Sequence, residues 1–161
     1  MSGAGGTSGL VIGKFLPPHL GHLYLVREAR RRVDRLHVVL FSKRHEPIPG
    51  ALREQWLREL LPGVALHHVT EEHPVDFDDP AAWDAWVGLL QRTLPESPDL
   101  VFSSEPYGEE LARRLGARHV RVDRARVPVS GTAVRSDPYA HWTLLPAPVR
   151  AYYRDRGLAA K

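Results

Sequence analysis

The chain has 161 residues, 43% hydrophobic and 25% charged, which fits one domain with its own core and excludes a largely disordered polymer. Its 22 Lys and Arg against 19 Asp and Glu give a formal charge of +3, an excess that suits anionic small molecules and is too small and dispersed for nucleic-acid binding. Cysteine is absent, which removes disulfides, thiolate catalysis and Cys-ligated zinc. No apolar run approaches the ~20 residues needed to span a bilayer, so no membrane role is expected and the expected address is the cytoplasm.

Residues 1–8, rich in glycine and lacking a signal peptide's basic start and apolar middle, read as a flexible lead-in to one domain over 9–161. Leu10–Phe15 is a β-branched apolar run that predicts a strand buried on both faces. Leu20–Val33 follows with helical period, its Arg30-Arg31-Arg32 run on the solvated face. Leu36–Phe41 is the second strand. Ala51–Leu61 is a helix that Pro62-Gly63 stops, and Val64–Val69 a third, shorter strand. Pro80–Leu94 is a helix with Asp79 as its cap. Leu100–Phe102 is a strand, Tyr107–Leu115 a helix ended by Gly116, and His119–Val122 the fifth strand. A short helix near Thr132–Arg135 and a terminal helix around Val149–Arg156 complete the chain. The strand–helix alternation predicts an α/β fold, a Rossmann-like open parallel sheet of about five strands with helices on both faces. Ligands of such sheets bind beyond the carboxyl ends of the strands, which directs attention to the loops after Phe15, Phe41, Val69, Phe102 and Val122.

Several motif fragments carry no chemistry. Gly3-Ala4-Gly5-Gly6 precedes the first strand and lacks the third glycine of a dinucleotide fingerprint. Gly13-Lys14 resembles the end of a P-loop, but Phe15 stands where the magnesium-binding hydroxyl belongs. His67 and His68 point to opposite strand faces, and with Glu71, Glu72 and His73 match no zinc spacing.

Gly13-Lys14-Phe15-Leu16-Pro17-Pro18-His19-Leu20-Gly21-His22 is different. It sits at a strand–helix junction, where the two prolines forbid an early helix. His19 and His22, three apart, turn their rings to one side. Gly21 lets a phosphate approach the backbone, and the helix start offers free amides. Two imidazoles there suit a phosphorus centre whose oxygens gain charge during displacement. This stretch resembles the GxFxPxHxGH signature of the HxGH nucleotidyltransferases. Val129-Ser130-Gly131-Thr132-Ala133-Val134-Arg135 resembles the superfamily's second signature, (I/V)SxTxxR. Ser130 and Thr132 can cap a short helix and donate to phosphate, and Arg135 can fork onto the β- and γ-phosphates.

The flanking text, including ALREQWLREL, SSEPYGEELARRLGA and VDRARVPVSGT, is similar to the adenylyltransferase domain of bacterial bifunctional nicotinamide mononucleotide (NMN) adenylyltransferase/ribosylnicotinamide kinases. The resemblance covers Leu10 to Arg156. It implies transfer of AMP from ATP to NMN, giving NAD and pyrophosphate, with Mg2+ accompanying ATP. No kinase segment follows before Lys161. His19, His22 and Arg135 are the implied catalytic residues, and Gly13, Phe15, Gly21, Ser130, Thr132 and Ser104 the implied ATP contacts, with Ser103 and Glu105 beside Ser104. Lys14 and Arg44 are candidates for the NMN phosphate. The flat cationic nicotinamide wants an aromatic face, for which Trp83, Trp86 and Tyr107 are the candidates, with Trp142 a further one. The alternatives are another acceptor, nicotinate mononucleotide or phosphopantetheine, and a nucleotide-binding module without chemistry.

Overall fold

The computed structural model describes residues 6–70 and 78–156. Five strands form one parallel sheet: β1 (Ser8–Gly13), β2 (Arg35–Ser42), β3 (Ala65–Thr70), β4 (Leu100–Ser103) and β5 (Arg118–Arg121), in spatial order β3-β2-β1-β4-β5. The helices are α1 (Leu20–Arg30), α2 (Gly50–Leu60), α3 (Pro80–Thr93), α4 (Tyr107–Leu115), α5 (Gly131–Ser136) and α6 (Ala147–Asp155). Short 3-10 turns lie at Arg124–Arg126 and Trp142–Leu144. This is the doubly wound α/β architecture expected from the sequence. The chain first winds outward from β1 through β2 to β3. It then crosses back to β4 on the other side of β1, so strand order reverses between β1 and β4.

The period of two along the strands builds a core on each face. Val11, Val38 and Leu40 pack with Leu25, Val26, Ala29 and Leu57 from α1 and α2. Leu10, Ile12 and Val39 point the other way, onto Trp83, Trp86, Val87 and Leu90 of α3 and Leu111 of α4. A third cluster joins Leu16, just after β1, and Trp56 of α2 to Val134, Leu145, Val149 and Tyr153. It draws the C-terminal segment against the loop after β1.

Thr7 and Ser8 are already tied to the sheet. The Thr7 amide donates to Asp34 (2.7 Å), and Ser8 already pairs with Arg35 in the ladder; residues 1–5 lie outside the described residues. At its other end β1 stops at Gly13, two residues before the predicted limit. Phe15 takes a positive φ of 48°, which ends pairing and turns the chain across the strand ends. A non-glycine residue held there costs on the order of 1–3 kcal/mol, and burial of its ring in the core holds it in place. The helix caps follow their expected chemistry. Asp79 accepts from Ala81 N at 3.0 Å with Pro80 at N1, and Gly116, at φ 72°, closes α4. Among the described residues no helix is long and apolar enough to cross a membrane.

Candidate active site

The loop after β1 places the first signature at the point where strand order reverses. His19 is the N-cap of α1 and His22 its N3 residue, and together they form a capping box built from imidazoles. His22 N donates to His19 Nδ1 (3.3 Å), and His19 N donates to His22 Nδ1 (3.1 Å). The hydrogen bonds dictate the tautomers. With each Nδ1 accepting from the backbone, each neutral ring carries its proton on Nε2 and presents a donor. The rings stack 3.7 Å apart at 18°. Burial and then the Arg124 guanidinium push His19 down to about 3; burial, His19 and Arg124 in that order hold His22 well below the usual imidazole value. Two close rings beside an arginine cannot both be cations, so the pair acts as two neutral, fixed N–H donors.

Phe15, expected among the ATP contacts, has its ring 1% exposed in the core. It supports the site from beneath, its centroid 4.7 Å from that of His22, and Gly13 lies against the same ring. Gly21 has a further reason to be glycine. A Cβ there would sit 2.9 Å from Arg124 Nη2 and 2.9 Å from the His19 ring, so its absence admits a side chain as well as leaving the backbone open.

The second signature docks directly onto the first. Ser130 caps α5 by accepting from Ala133 N at 3.1 Å. Arg135 donates to the Leu16 carbonyl and lies 3.5 Å from Thr132 Oγ1. Gly131 packs so tightly on Leu16 that a Cβ would lie 2.5 Å from that carbonyl oxygen. Arg124, in the 3-10 turn after β5, links the two: its Nη2 donates to the Val129 carbonyl (2.5 Å) and lies 3.4 Å from His19 Nε2. Neither Arg124 nor Gly131 was among the expected site residues. The signal available in the sequence was their position, one just ahead of the second signature and one within it. Ser104 and Glu105 after β4 face Asp123, Arg124, Val129 and Ser130 across an open groove of about 340 Å³.

On the β2 side, Lys14 is half exposed and ion-paired with Glu46 (2.9 Å). Arg53 is fully buried and donates to Glu46 (2.8 Å), to the Lys14 carbonyl (2.8 Å) and to the Ile48 carbonyl (3.0 Å). This clamp ties the loop after β1 to residues 43–48 and so brings Lys14 beside the turn carrying the exposed Arg44. Glu46 is held below the usual carboxylate range: burial opposes this, and hydrogen bonds from Lys14, the Lys43 amide and Arg53 overcome it.

The expected open aromatic face is not found at Trp83 and Trp86. Both belong to the core, 5% and 7% exposed, because their spacing of three puts them on the helix face that packs against the sheet. Arg114 covers Trp83 at 5.0 Å, while Trp86 meets Phe41 and Tyr107 at 6.0 and 5.8 Å near the carboxyl ends of β2 and β4. Burial pushes the Tyr107 hydroxyl up to about 12. Trp142 already stacks on Tyr139 at 5.0 Å and carries Arg154 at 5.8 Å.

Of the remaining histidines, His68 lies in a chain that resembles a hydrolase triad. Ser42 Oγ is 2.6 Å from His68 Nε2, and His68 Nδ1 is 2.8 Å from Glu54. The hydroxyl is sealed under α2, where a Cβ on Gly50 would come within 2.5 Å of it, so the chain is structural. Glu71, Glu72 and His73 lie outside the described residues. Among the described residues no group of three or more His, Asp or Glu is placed to hold a metal ion.

No protein-family profile matches the chain. The chain is 29% identical over 170 residues to the trifunctional NAD biosynthesis/regulator protein NadR of Escherichia coli, an alignment covering 91% of this chain and 40% of that protein. It is 31% identical over 111 residues to the nicotinamide-nucleotide adenylyltransferase of Pyrobaculum neutrophilum, covering 65% of this chain and 60% of that enzyme. The fold matches a crystal structure of NadR protein in complex with NAD and AMP-PNP at a TM-score of 0.65 and 23% identity, over 87% of this chain and 44% of that one. The chain thus spans about two fifths of the length of the NadR relative. With both signature stretches brought together at the switch point of a doubly wound sheet, the chain is similar to NadR over most of its own length and to the nicotinamide-nucleotide adenylyltransferase of Pyrobaculum neutrophilum over a little under two thirds of it.

Proposed function

We propose that the chain is a nicotinamide-nucleotide adenylyltransferase that transfers AMP from ATP to NMN, giving NAD and pyrophosphate. The single observation that carries this reading is the docking of the two signatures: paired Nε2–H donors on His19 and His22 beside Arg124, with Gly131 and Arg135 of the second signature brought against Leu16. Similarity to a nicotinamide-nucleotide adenylyltransferase supports the choice of acceptor.

An NMN phosphate oxygen attacks the α-phosphorus of ATP in line. A P–O bond forms, the bond to the β-phosphate oxygen breaks, and pyrophosphate leaves with the electron pair. A phosphate dianion is already nucleophilic, so no general base is needed, and positioning and charge neutralisation supply the catalysis. His19 and His22 donate to the ATP phosphates without having to be protonated, with His22 nearest the α-phosphate. Arg135, Ser130 and Thr132 hold the departing pyrophosphate. Ser104 borders the ATP groove, Gly13 seats the Phe15 ring beneath the site, and Gly21 lets Arg124 approach the histidines. Lys14 and Arg44 receive the NMN phosphate, with Lys14 shared between the ligand and Glu46. Tyr107, partly exposed and backed by the buried Trp86 near the strand ends, is the nicotinamide candidate that the packing supports best. Mg2+ would accompany ATP and supply further neutralisation of its phosphate charge, held by substrate oxygens more than by the chain, since no group of three or more His, Asp or Glu among the described residues is placed to hold it.

Pyrophosphate release from MgATP, measured with NMN, nicotinate mononucleotide and phosphopantetheine in turn, tests the reading. Release with NMN that His22→Ala abolishes is the expected result. Release with another acceptor alone overturns the NAD assignment, and release with none overturns the enzyme.

A further inference from the structure

Arg124 lies outside both signature motifs, yet it touches both. Its Nη2 donates to the carbonyl of Val129 and lies 3.4 Å from His19 Nε2, and the nearest carboxylate oxygen to its Nη1, on the half-exposed Glu105, is 3.9 Å away. Its Nε is buried without any hydrogen-bond partner, the only side-chain atom of that kind among the described residues. An arginine does not deprotonate, and a buried unmet donor is costly, so such an atom asks for an explanation. The contact with His19 needs one too. The His22 amide occupies His19 Nδ1, so the neutral ring has its proton on Nε2 and cannot accept from Arg124. Two N–H groups therefore converge on one point with no acceptor between them. Gly21 makes the approach possible, since a Cβ would meet Nη2 at 2.9 Å.

We propose that Arg124 is a catalytic residue that contacts the nucleotide's phosphates, its guanidinium and the His19 Nε2–H sharing one anionic oxygen. The substrate named here rests on the adenylyl-transfer reading. The division of labour follows from the charges. The two imidazoles supply oriented dipoles and no net charge, whereas Arg124 brings a full positive charge to the place where charge shifts as the Pα–O bond to pyrophosphate breaks. Arg124 also borders the groove lined by Ser104 and Ser130, so the arginine joins that groove to the histidines. Occupation by a phosphate oxygen turns the converging donors from a conflict into a clamp.

The test compares binding of MgATP and of adenosine to the whole chain and to Arg124→Gln, alongside pyrophosphate release. A phosphate contact predicts that R124Q weakens MgATP by about tenfold or more while adenosine stays within about twofold, with turnover down by about 100-fold. Equal weakening of both ligands overturns the proposal in favour of a structural strut from Val129 to His19. Unchanged MgATP affinity overturns it as well. If R124Q does not fold by circular dichroism, R124K replaces it, and the same phosphate-selective loss is expected because a lysine cannot reproduce the fork. Wild-type chain that releases no pyrophosphate with any acceptor refutes the transfer reading, and the contrast between MgATP and adenosine still decides Arg124.

Discussion

The two ends of the sheet hold histidines in opposite ways. At the amino ends, His37 Nε2 donates to Glu96 at 2.7 Å, His37 Nδ1 lies 3.0 Å from His67 Nε2, and Arg35 forks onto the same carboxylate with contacts of 2.9–3.3 Å. The donors meet acceptors there. Hydrogen bonds from Arg35 and then His37 bring Glu96 down to about 2. At the carboxyl ends, His19 and His22 stack beside an arginine with no carboxylate among the described residues hydrogen-bonded to either ring, and the His19 Nε2 donor lies 3.4 Å from the Arg124 guanidinium. Satisfied polar groups make a scaffold, and unsatisfied ones of like kind, brought together by the fold, make a site.

The comparison breaks most decisively if the carboxyl-end histidines turn out to be structural. His22→Ala is expected to lower turnover by about 10²–10³-fold while leaving the melting temperature within a few degrees. Steady-state pyrophosphate release and thermal unfolding on the same samples measure both. A parallel collapse of stability and activity means that the capping box, rather than the chemistry, is what the histidine serves.

Acidification sharpens the contrast, because the ends fail in different windows. His19 is pushed from 6.5 to about 3 in the folded chain, so the unfolded chain binds more protons between those values. Stability then falls as pH drops below about 6.5, by up to about 1.4 kcal/mol per unit, until the folded value is reached. Glu96 is depressed from 4.5 to about 2, so its contribution is present above pH 4.5 and is lost as pH falls toward 2. Urea unfolding from pH 8 to 3 should therefore show a decline beginning near 6.5, and replacement of His19 by Asn should make that decline shallower, with His22, also held low by burial, carrying the remainder. An unaltered profile in that variant places the acid-sensitive group elsewhere.

Glu96→Gln gives the complementary result. It keeps an acceptor but loses the charge under Arg35 and His37, and, with the carboxylate about a quarter exposed, the cost is about 1 kcal/mol. Turnover should stay within about twofold, and a drop beyond tenfold would connect the two ends. The smallest effect is expected at Glu54→Gln. The Ser42–His68–Glu54 chain is partly exposed at its outer end, so less than about 1 kcal/mol of stability and no measurable turnover should be lost.

The sequence by itself determined the order and kind of the elements, since apolar period and capping chemistry are local. Leu10–Ile12 and Leu36–Phe41 are strands because they are β-branched and apolar on both faces, and Asp79-Pro80 and Gly116 mark helix ends wherever they occur. The two signatures were legible for the same reason, each being a short run whose backbone needs are met by its own prolines, glycines and hydroxyls. Tertiary structure alone decided what lay between them. Arg124 reaches His19 across 105 positions, Arg135 finds the carbonyl of Leu16 across 119, and Arg53 closes on Lys14 across 39. It also decided that both tryptophans of α3 are core, because a helix face shows which residues share a side and not whether the sheet or solvent covers it. Distance in space is set by how the doubly wound sheet folds back between β3 and β4, and no local pattern of residues encodes that.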